Sequence, residues 1–131
     1  MTPNKSRLQV IFLLVTAAGL VPIALIYGIA PEKTLPLLFG IDASGVDTRH
    51  IFKAFMGLYL ALVSFWIAGA VKPDLRHPAL WSLVIFMVGL ACGRILSLLL
   101  DGWPSGLLIF YLLLEIGFGA MGWWLLKAPK P

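Results

Sequence analysis

The stretch 79–126, ALWSLVIFMVGLACGRILSLLLDGWPSGLLIFYLLLEIGFGAMGWWLL, decides the fold. It contains two apolar runs of about 20 residues, the length that a transmembrane helix needs, joined by the turn DGWPS at 101–105. Each run carries one ionisable residue in its interior, Arg94 in the first and Glu115 in the second. A charge in hydrocarbon is costly unless it is paired, hydrated or used in function. The two residues therefore predict the inside of a helical bundle.

The composition of the whole chain predicts an integral membrane protein. Of its 131 residues, 60% are hydrophobic and 12% are charged, against roughly 45–50% and 25% in soluble domains. The prolines Pro73, Pro78 and Pro104 are expected in the connections between spans. We predict an all-α, polytopic membrane protein: a single domain over 1–131 that forms a four-transmembrane-helix bundle, with spans at about 8–29, 51–71, 79–100 and 106–126.

The first run begins after Lys5 and Arg7, as the core of a signal peptide would. Its apolar part is longer than the roughly 7–15 residues usual for such a core, and Pro22 lies within it. We expect this helix to be retained.

The connection between the first two spans contains an apolar portion, Pro31 to Ile41. Pro31 suits the first position of a helix, which predicts a short interfacial segment between helices 1 and 2. A plain ordered loop is the alternative, because Pro36 interrupts any helical period.

Basic residues predict the orientation. One side of the membrane would carry Lys5, Arg7, Lys72, Arg76, Lys127 and Lys130. The other side would carry Lys33, Arg49 and Lys53, diluted by Glu32, Asp42, Asp47 and Asp101. By the positive-inside rule we expect a multi-pass protein of the bacterial inner membrane with both termini cytoplasmic. The net charge of +4 then points to membrane lipid as a partner, and not to nucleic acid.

Small residues recur at helical spacing. They are Ala54, Gly57, Ala61, Ser64 and Ala68 in the second span, Gly89, Gly93 and Ser97 in the third, and Gly117, Gly119, Ala120 and Gly122 in the fourth. Such residues let helix backbones approach closely. We expect them to pack the bundle internally; the alternatives are a homodimer seam or a contact with a larger membrane-protein partner. The tryptophans, Trp66 among them, are expected near the span ends as interfacial anchors.

A polar constellation crosses the last two spans. Arg94, Ser97 and Asp101 share one face of the third helix, and Tyr111 and Glu115 share one face of the fourth. The midpoint between Arg94 and Glu115 along the chain falls between Pro104 and Ser105, inside the turn that joins the helices. An antiparallel hairpin therefore places them at the same depth, where we expect them to pair.

Two interpretations of this pair remain open. It is a structural ion pair that fixes the register of the hairpin, or it forms the floor of an outer-facing polar pocket for a small amphipathic or anionic, lipid-like ligand. The candidate ligand-binding residues are Arg94, Glu115, Asp101, Ser97, Tyr111, Tyr59, Arg49 and His50, with Lys53 at the rim. Two other classes of function remain open. The protein could be an accessory subunit of a larger membrane complex, or an intramembrane enzyme with Glu115 as general acid or base.

Other chemistry is sparse. Cys92 is the only cysteine, so we expect a small packing residue and no intrachain disulfide. His50 and His77 fall on opposite sides of the membrane in this topology, and no residues have the spacing of metal ligands. We expect no metal and no cofactor.

Several short motifs follow one another in a recognisable order: Arg49-His50, Gly57-Leu58-Tyr59-Leu60, Gly93-Arg94 with Ser97, Asp101-Gly102 and Glu115. In these motifs the chain resembles, over nearly its whole length, an uncharacterised bacterial family of small four-helix membrane proteins, the domain of unknown function 4345. The resemblance implies four membrane helices and assigns no activity.

Overall fold

The structure is a computed structural model that describes residues 3–127; Lys130, assigned above to a basic cluster, lies outside them. Its helices are α1 (Pro3–Gly28), α2 (Pro31–Phe39), α3 (Val46–Val71), α4 (Pro73–Asp101) and α5 (Gly106–Leu126). All except α2 are long and apolar enough to cross a membrane. Within residues 3–127 there is no strand. The prediction of an all-α bundle with four long apolar helices is confirmed.

The corner between α3 and α4 is tighter than predicted. It consists of Lys72 alone, because α4 begins at Pro73 instead of residue 79. Proline suits the first position of a helix, where its missing N–H has no intrahelical partner to lose. Pro78, expected in a connection, lies inside α4. The carbonyl it leaves unbonded belongs to Asp74, which is exposed in the first turn.

The start of α1 and the end of α5 meet this corner at one end of the bundle, which we call the terminal end. Gln9 of α1 donates from Nε2 to the carbonyl of Leu125 at 3.0 Å. Arg76 of α4 donates from Nη1 to the hydroxyl of Ser6 at 3.2 Å. The described members of the predicted basic cluster therefore lie at the same end of the molecule.

Arg76 also closes the end of α3. Its Nε donates to the carbonyl of Gly69 at 3.3 Å, and its Nη2 donates to that of Ala70 at 3.0 Å. The last carbonyls of a helix have no intrahelical donor. One guanidinium thus satisfies two of them and ties α3 to α4.

At the opposite end, the segment after α1 is a helix and not a plain loop. Thr34 of α2 donates its hydroxyl to the carbonyl of Ile26 at 2.5 Å, and Leu35 is fully buried. The helix ends at Gly40, whose φ of 66° is the left-handed conformation that glycine adopts most readily. The short helix is therefore fixed to the end of α1; its depth in a membrane stays a prediction.

Close helix packing occurs at one glycine that the sequence predicted, Gly122, and at two that it did not, Gly28 and Gly69. A β-carbon would overlap a neighbouring side chain at each of them: Gly28 on Met56, Gly69 on Ala79 and Gly122 on Val84. By contrast, the space around Gly57, Gly89, Gly93 and Gly117 is open. Of the predicted positions in the fourth span, Gly119 and Gly122 are buried.

The small-residue stripe of α3 faces outward, so the prediction that it packs the bundle internally is wrong. Four of its five members, Ala54, Gly57, Ala61 and Ser64, are exposed, and the fifth, Ala68, is half-buried. The opposite face carries the larger side chains, including Trp66, which is fully buried and donates Nε1–H to the hydroxyl of Ser82 at 3.0 Å. Trp66 is therefore not the interfacial anchor expected. Burying this large face gains more van der Waals contact than burying the stripe would.

The two helix pairs α1–α3 and α4–α5 diverge away from the terminal end. The buried side chains of α3 begin only at Tyr59, and those of α4 end at Ala91. Past these residues α1 still packs against α3, where Gly28 meets Met56. The space left between the two pairs reaches the α4–α5 loop, where Pro104 lines it. We call this space the cleft.

Candidate functional site

An ion pair between α4 and α5 lies in the cleft. The Nε of Arg94 donates to both carboxylate oxygens of Glu115, at 2.7 Å to Oε1 and 3.0 Å to Oε2. Glu115 is buried, whereas the Arg94 side chain is 23% exposed. The pairing predicted from the hairpin register is confirmed. Because Glu115 accepts only from Nε, the four N–H bonds on Nη1 and Nη2 of Arg94 lie outside the ion pair.

The largest cavity of the cleft lies on the α3 side of Arg94. It has a volume of about 700 Å³ and is lined by residues of α1, α3, α4 and α5. Its walls are mostly apolar, and its polar groups are those of Arg94, Ser97, Tyr27 and Tyr59. Two wall residues, Leu58 and Ile85, are 54% and 64% exposed, so the cavity opens sideways as well as toward the loop. The volume lies in the range of about 300–1,000 Å³ that small-molecule sites have.

A second, smaller cavity lies on the other side of Arg94. Its volume is about 90 Å³, and it includes Glu115 and Tyr111 together with Thr16 of α1. The guanidinium carbon of Arg94 lies 5.8 Å from the centre of the Tyr111 ring, within the range of a cation–π contact. The residues common to both cavities are Tyr27, Tyr59, Phe86, Leu90 and Arg94. Arg94 thus stands between two parts of one cleft.

Tyr27 is a site residue that the sequence analysis missed. It lies beside Arg94, and its ring centre is 6.0 Å from that of Phe39, 5.7 Å from that of Phe52 and 5.8 Å from that of Tyr59. Ring pairs at these distances stabilise one another beyond their buried area. The aromatic cluster joins α1, α2 and α3 at the mouth of the cleft, and it places a phenol hydroxyl next to the guanidinium.

Ser97 and Asp101 continue the polar face of α4 toward the mouth. The hydroxyl of Ser97 donates to Oδ2 of Asp101 at 2.8 Å, and both residues are exposed. Of the two, Ser97 lines the large cavity. Asp101 adds a negative charge about 10 Å beyond Arg94, at 1.5 Å of helix rise per residue.

The predicted rim residues of α3 lie elsewhere. Arg49 donates to the carbonyls of its own preceding loop, at 3.4 Å to Gly45 and 3.2 Å to Ser44. His50 and Lys53 are exposed, and neither they nor Arg49 are among the described residues that line the two cavities. The structure therefore brings together Arg94, Glu115, Tyr59, Tyr111 and Ser97, with Asp101 next to Ser97.

Within the part of the chain that the structure describes, no three histidine, cysteine, aspartate or glutamate side chains are grouped as metal ligands. Cys92 is exposed on α4, although it was expected as a packing residue. Both oxygens of Glu115 are engaged by Arg94. This geometry favours a positioning role for Glu115, in which its carboxylate holds the arginine, over a role in proton transfer.

Residues 8–126 match the family described as domain of unknown function (DUF4345). Because this match covers most of the chain, the protein belongs to that family. No curated protein and no solved structure matches the chain.

Proposed function

We propose that this member of the DUF4345 family binds a small, amphipathic, lipid-like molecule in the cleft, with the polar group of the molecule at Arg94 and its apolar part in the large cavity. The observation that carries the proposal is the position of Arg94. Its ion pair with Glu115 uses Nε alone, and Arg94 also lines a cavity of about 700 Å³ with mostly apolar walls. A purely structural ion pair does not require such a cavity.

The proposed setting is the inner membrane of a bacterium, with both termini cytoplasmic and the cleft opening toward the periplasmic side. Support comes from the basic residues of the terminal end, Lys5, Arg7, Lys72, Arg76 and Lys127, which the positive-inside rule assigns to the cytoplasm. The exposed wall residues Leu58 and Ile85 would face acyl chains, so the ligand would enter from the bilayer.

Native mass spectrometry of the protein, extracted in a mild uncharged detergent together with its lipids, tests this function. We expect the wild-type protein to retain a molecule of defined mass. Gly93 lines the large cavity and has open space around it, so Gly93→Leu should occupy the cleft and abolish retention. Gly117 also has open space around it but does not line either cavity. Gly117→Leu is therefore the matched control.

The same spectra contradict the proposal if Gly93→Leu and the wild-type protein carry the same molecules in the same amounts. Bound lipid would then lie on the outer surface of the bundle.

One observation favours a second candidate function. The small-residue stripe of α3 faces outward (Ala54, Gly57, Ala61 and Ser64), and such a stripe suits close contact with another membrane helix. The protein would then be a homodimer or an accessory subunit of a larger complex. Gly57→Leu should dissociate that assembly in native mass spectra and leave ligand retention unchanged.

A further inference from the structure

The charges of the cleft narrow the class of molecule that it accepts. Arg94 and Glu115 are the described residues of opposite charge that line the two cavities, and each neutralises the other at 2.7 Å. The other titratable lining groups are phenols, on Tyr27, Tyr59 and Tyr111. The site therefore has no net charge for a ligand to balance.

The hydrogen-bonding groups of the cleft are mainly donors. The guanidinium of Arg94 also donates a hydrogen bond to the Tyr27 hydroxyl oxygen. Its remaining Nη1 and Nη2 N–H bonds and the O–H groups of Tyr27 and Tyr59 can donate to a ligand. The strongest acceptor, the carboxylate of Glu115, is already engaged through both oxygens. A polar group that lacked an acceptor would leave donors unpaired in an apolar surrounding, which is costly.

An anion meets opposition from two carboxylates. It would share the Arg94 guanidinium with Glu115 and lie on the inner side of Asp101, whose charge stands at the mouth on the same face of α4. The repulsion from Glu115 is the stronger of the two, because Glu115 is buried whereas Asp101 is exposed. A neutral carbonyl oxygen accepts the same hydrogen bonds without that repulsion.

From this arrangement we infer that the natural ligand is an uncharged lipid-like molecule with a carbonyl-type acceptor, such as an ester or a quinone, whose oxygen accepts from Nη1 and Nη2 of Arg94. The inference rests on the proposed function and goes beyond it by excluding anionic headgroups as the preferred ligand. Glu115 has the role of a selectivity residue, because it holds the arginine and cancels its charge.

Two probes with the same acyl chain test the inference, methyl oleate and oleate. Saturation binding of each radiolabelled probe to the full-length protein is measured in uncharged detergent at about pH 9, far above the ordinary carboxyl pKa of about 4. The wild-type protein should bind methyl oleate about tenfold more tightly than oleate. Glu115→Gln keeps the shape of the side chain and removes its charge, so it should reverse the preference.

Tyr27→Phe provides a second variant that keeps the ion pair. It removes one donor and should weaken binding of methyl oleate several-fold. The inference is overturned if oleate binds the wild-type protein more tightly than methyl oleate, a result that leaves the proposed function standing. Absence of saturable binding of either probe to the wild-type protein contradicts the proposed function itself. The preference of the wild-type protein for methyl oleate or oleate tests the inference even if Glu115→Gln does not fold.

Discussion

Gly69 and Ala79 face each other across the corner at Lys72 so closely that a β-carbon on Gly69 would overlap the methyl group of Ala79. The carbonyl of Leu75 lies 3.2 Å from the same position. Backbone and side chain together therefore leave no room for a larger residue. This contact holds α3 and α4 together at the terminal end, and the cleft exists because nothing comparable holds their far halves together in the described chain.

Gly69→Ala should destabilise the fold. The added methyl group forces α3 and α4 apart at the corner, and overpacking of this kind costs about 1–3 kcal/mol of the free energy of unfolding. The measurement is reversible unfolding in mixed micelles. Gly117→Ala is the control, because its β-carbon enters open space and alanine favours a helix more than glycine does. Equal stability of the two variants would show that the corner is not tightly packed.

Arg94→Met should destabilise the bundle, whereas Arg94→Met combined with Glu115→Leu should recover most of the loss. The single substitution leaves the buried carboxylate of Glu115 without its partner, at a cost of about 3–5 kcal/mol. Replacing both charges by apolar groups is often neutral. Both variants are compared by the same unfolding measurement. A double variant less stable than the single one would contradict this account of the pair.

Arg76→Met should loosen the terminal end. It removes three donors at once, those bonded to Gly69, Ala70 and Ser6. Arg76→Lys keeps the charge but not the planar fork, so it should restore only part of the stability. Hydrogen exchange of the last α3 amides reports the effect locally. Unchanged protection there in Arg76→Met would show that the guanidinium does not cap the helix.

Asp42 lies in the loop before α3, outside the apolar spans, and its carboxylate accepts from the backbone N–H of Ser44 at 3.0 Å. This bond, assisted by the Ser44 hydroxyl, lowers the pKa of Asp42 below its ordinary value. A lowered pKa in the folded state means that the loop is favoured above the unfolded pKa of about 3.9. The contribution is lost as the pH falls through the folded pKa.

An NMR titration of the Asp42 carboxyl measures this shift. Ser44→Ala keeps the backbone N–H, the larger of the two causes, so the pKa of Asp42 should stay low in that variant. A carboxyl that titrates at its ordinary value in the wild-type protein would contradict the turn geometry.

The ion pair was predictable because it depends on few assumptions. A short turn fixes the register of an antiparallel hairpin, and the midpoint between Arg94 and Glu115 falls inside that turn, so the two residues lie at about the same depth. Because an unpaired charge in hydrocarbon is costly in free energy, the two side chains are then expected to pair with each other. Ser97 and Asp101 follow from the same helix periodicity, and they do form a hydrogen bond at 2.8 Å.

Contacts between the α1–α3 pair and the α4–α5 pair could not be predicted from the sequence, because no short turn fixes their register. Whether α3 turns its stripe or its Trp66 face inward depends on which partner surface it meets, and small residues suit either an internal or an external contact. Tyr27 carried no signal beyond being a tyrosine near the end of an apolar run. Its role follows from the rotation of α1 and from the reach of Arg94 across the cleft.

The central claim is that the cleft beside Arg94 holds a lipid-like molecule. It is tested most directly by intermolecular nuclear Overhauser effects between a protonated probe, methyl oleate, and the protein in nanodiscs of deuterated lipid. We predict cross-peaks from the probe to Phe55, Gly89 and Gly93, which line the large cavity. Cross-peaks confined to the outer face of α3, at Gly57 and Ala61, would contradict the claim.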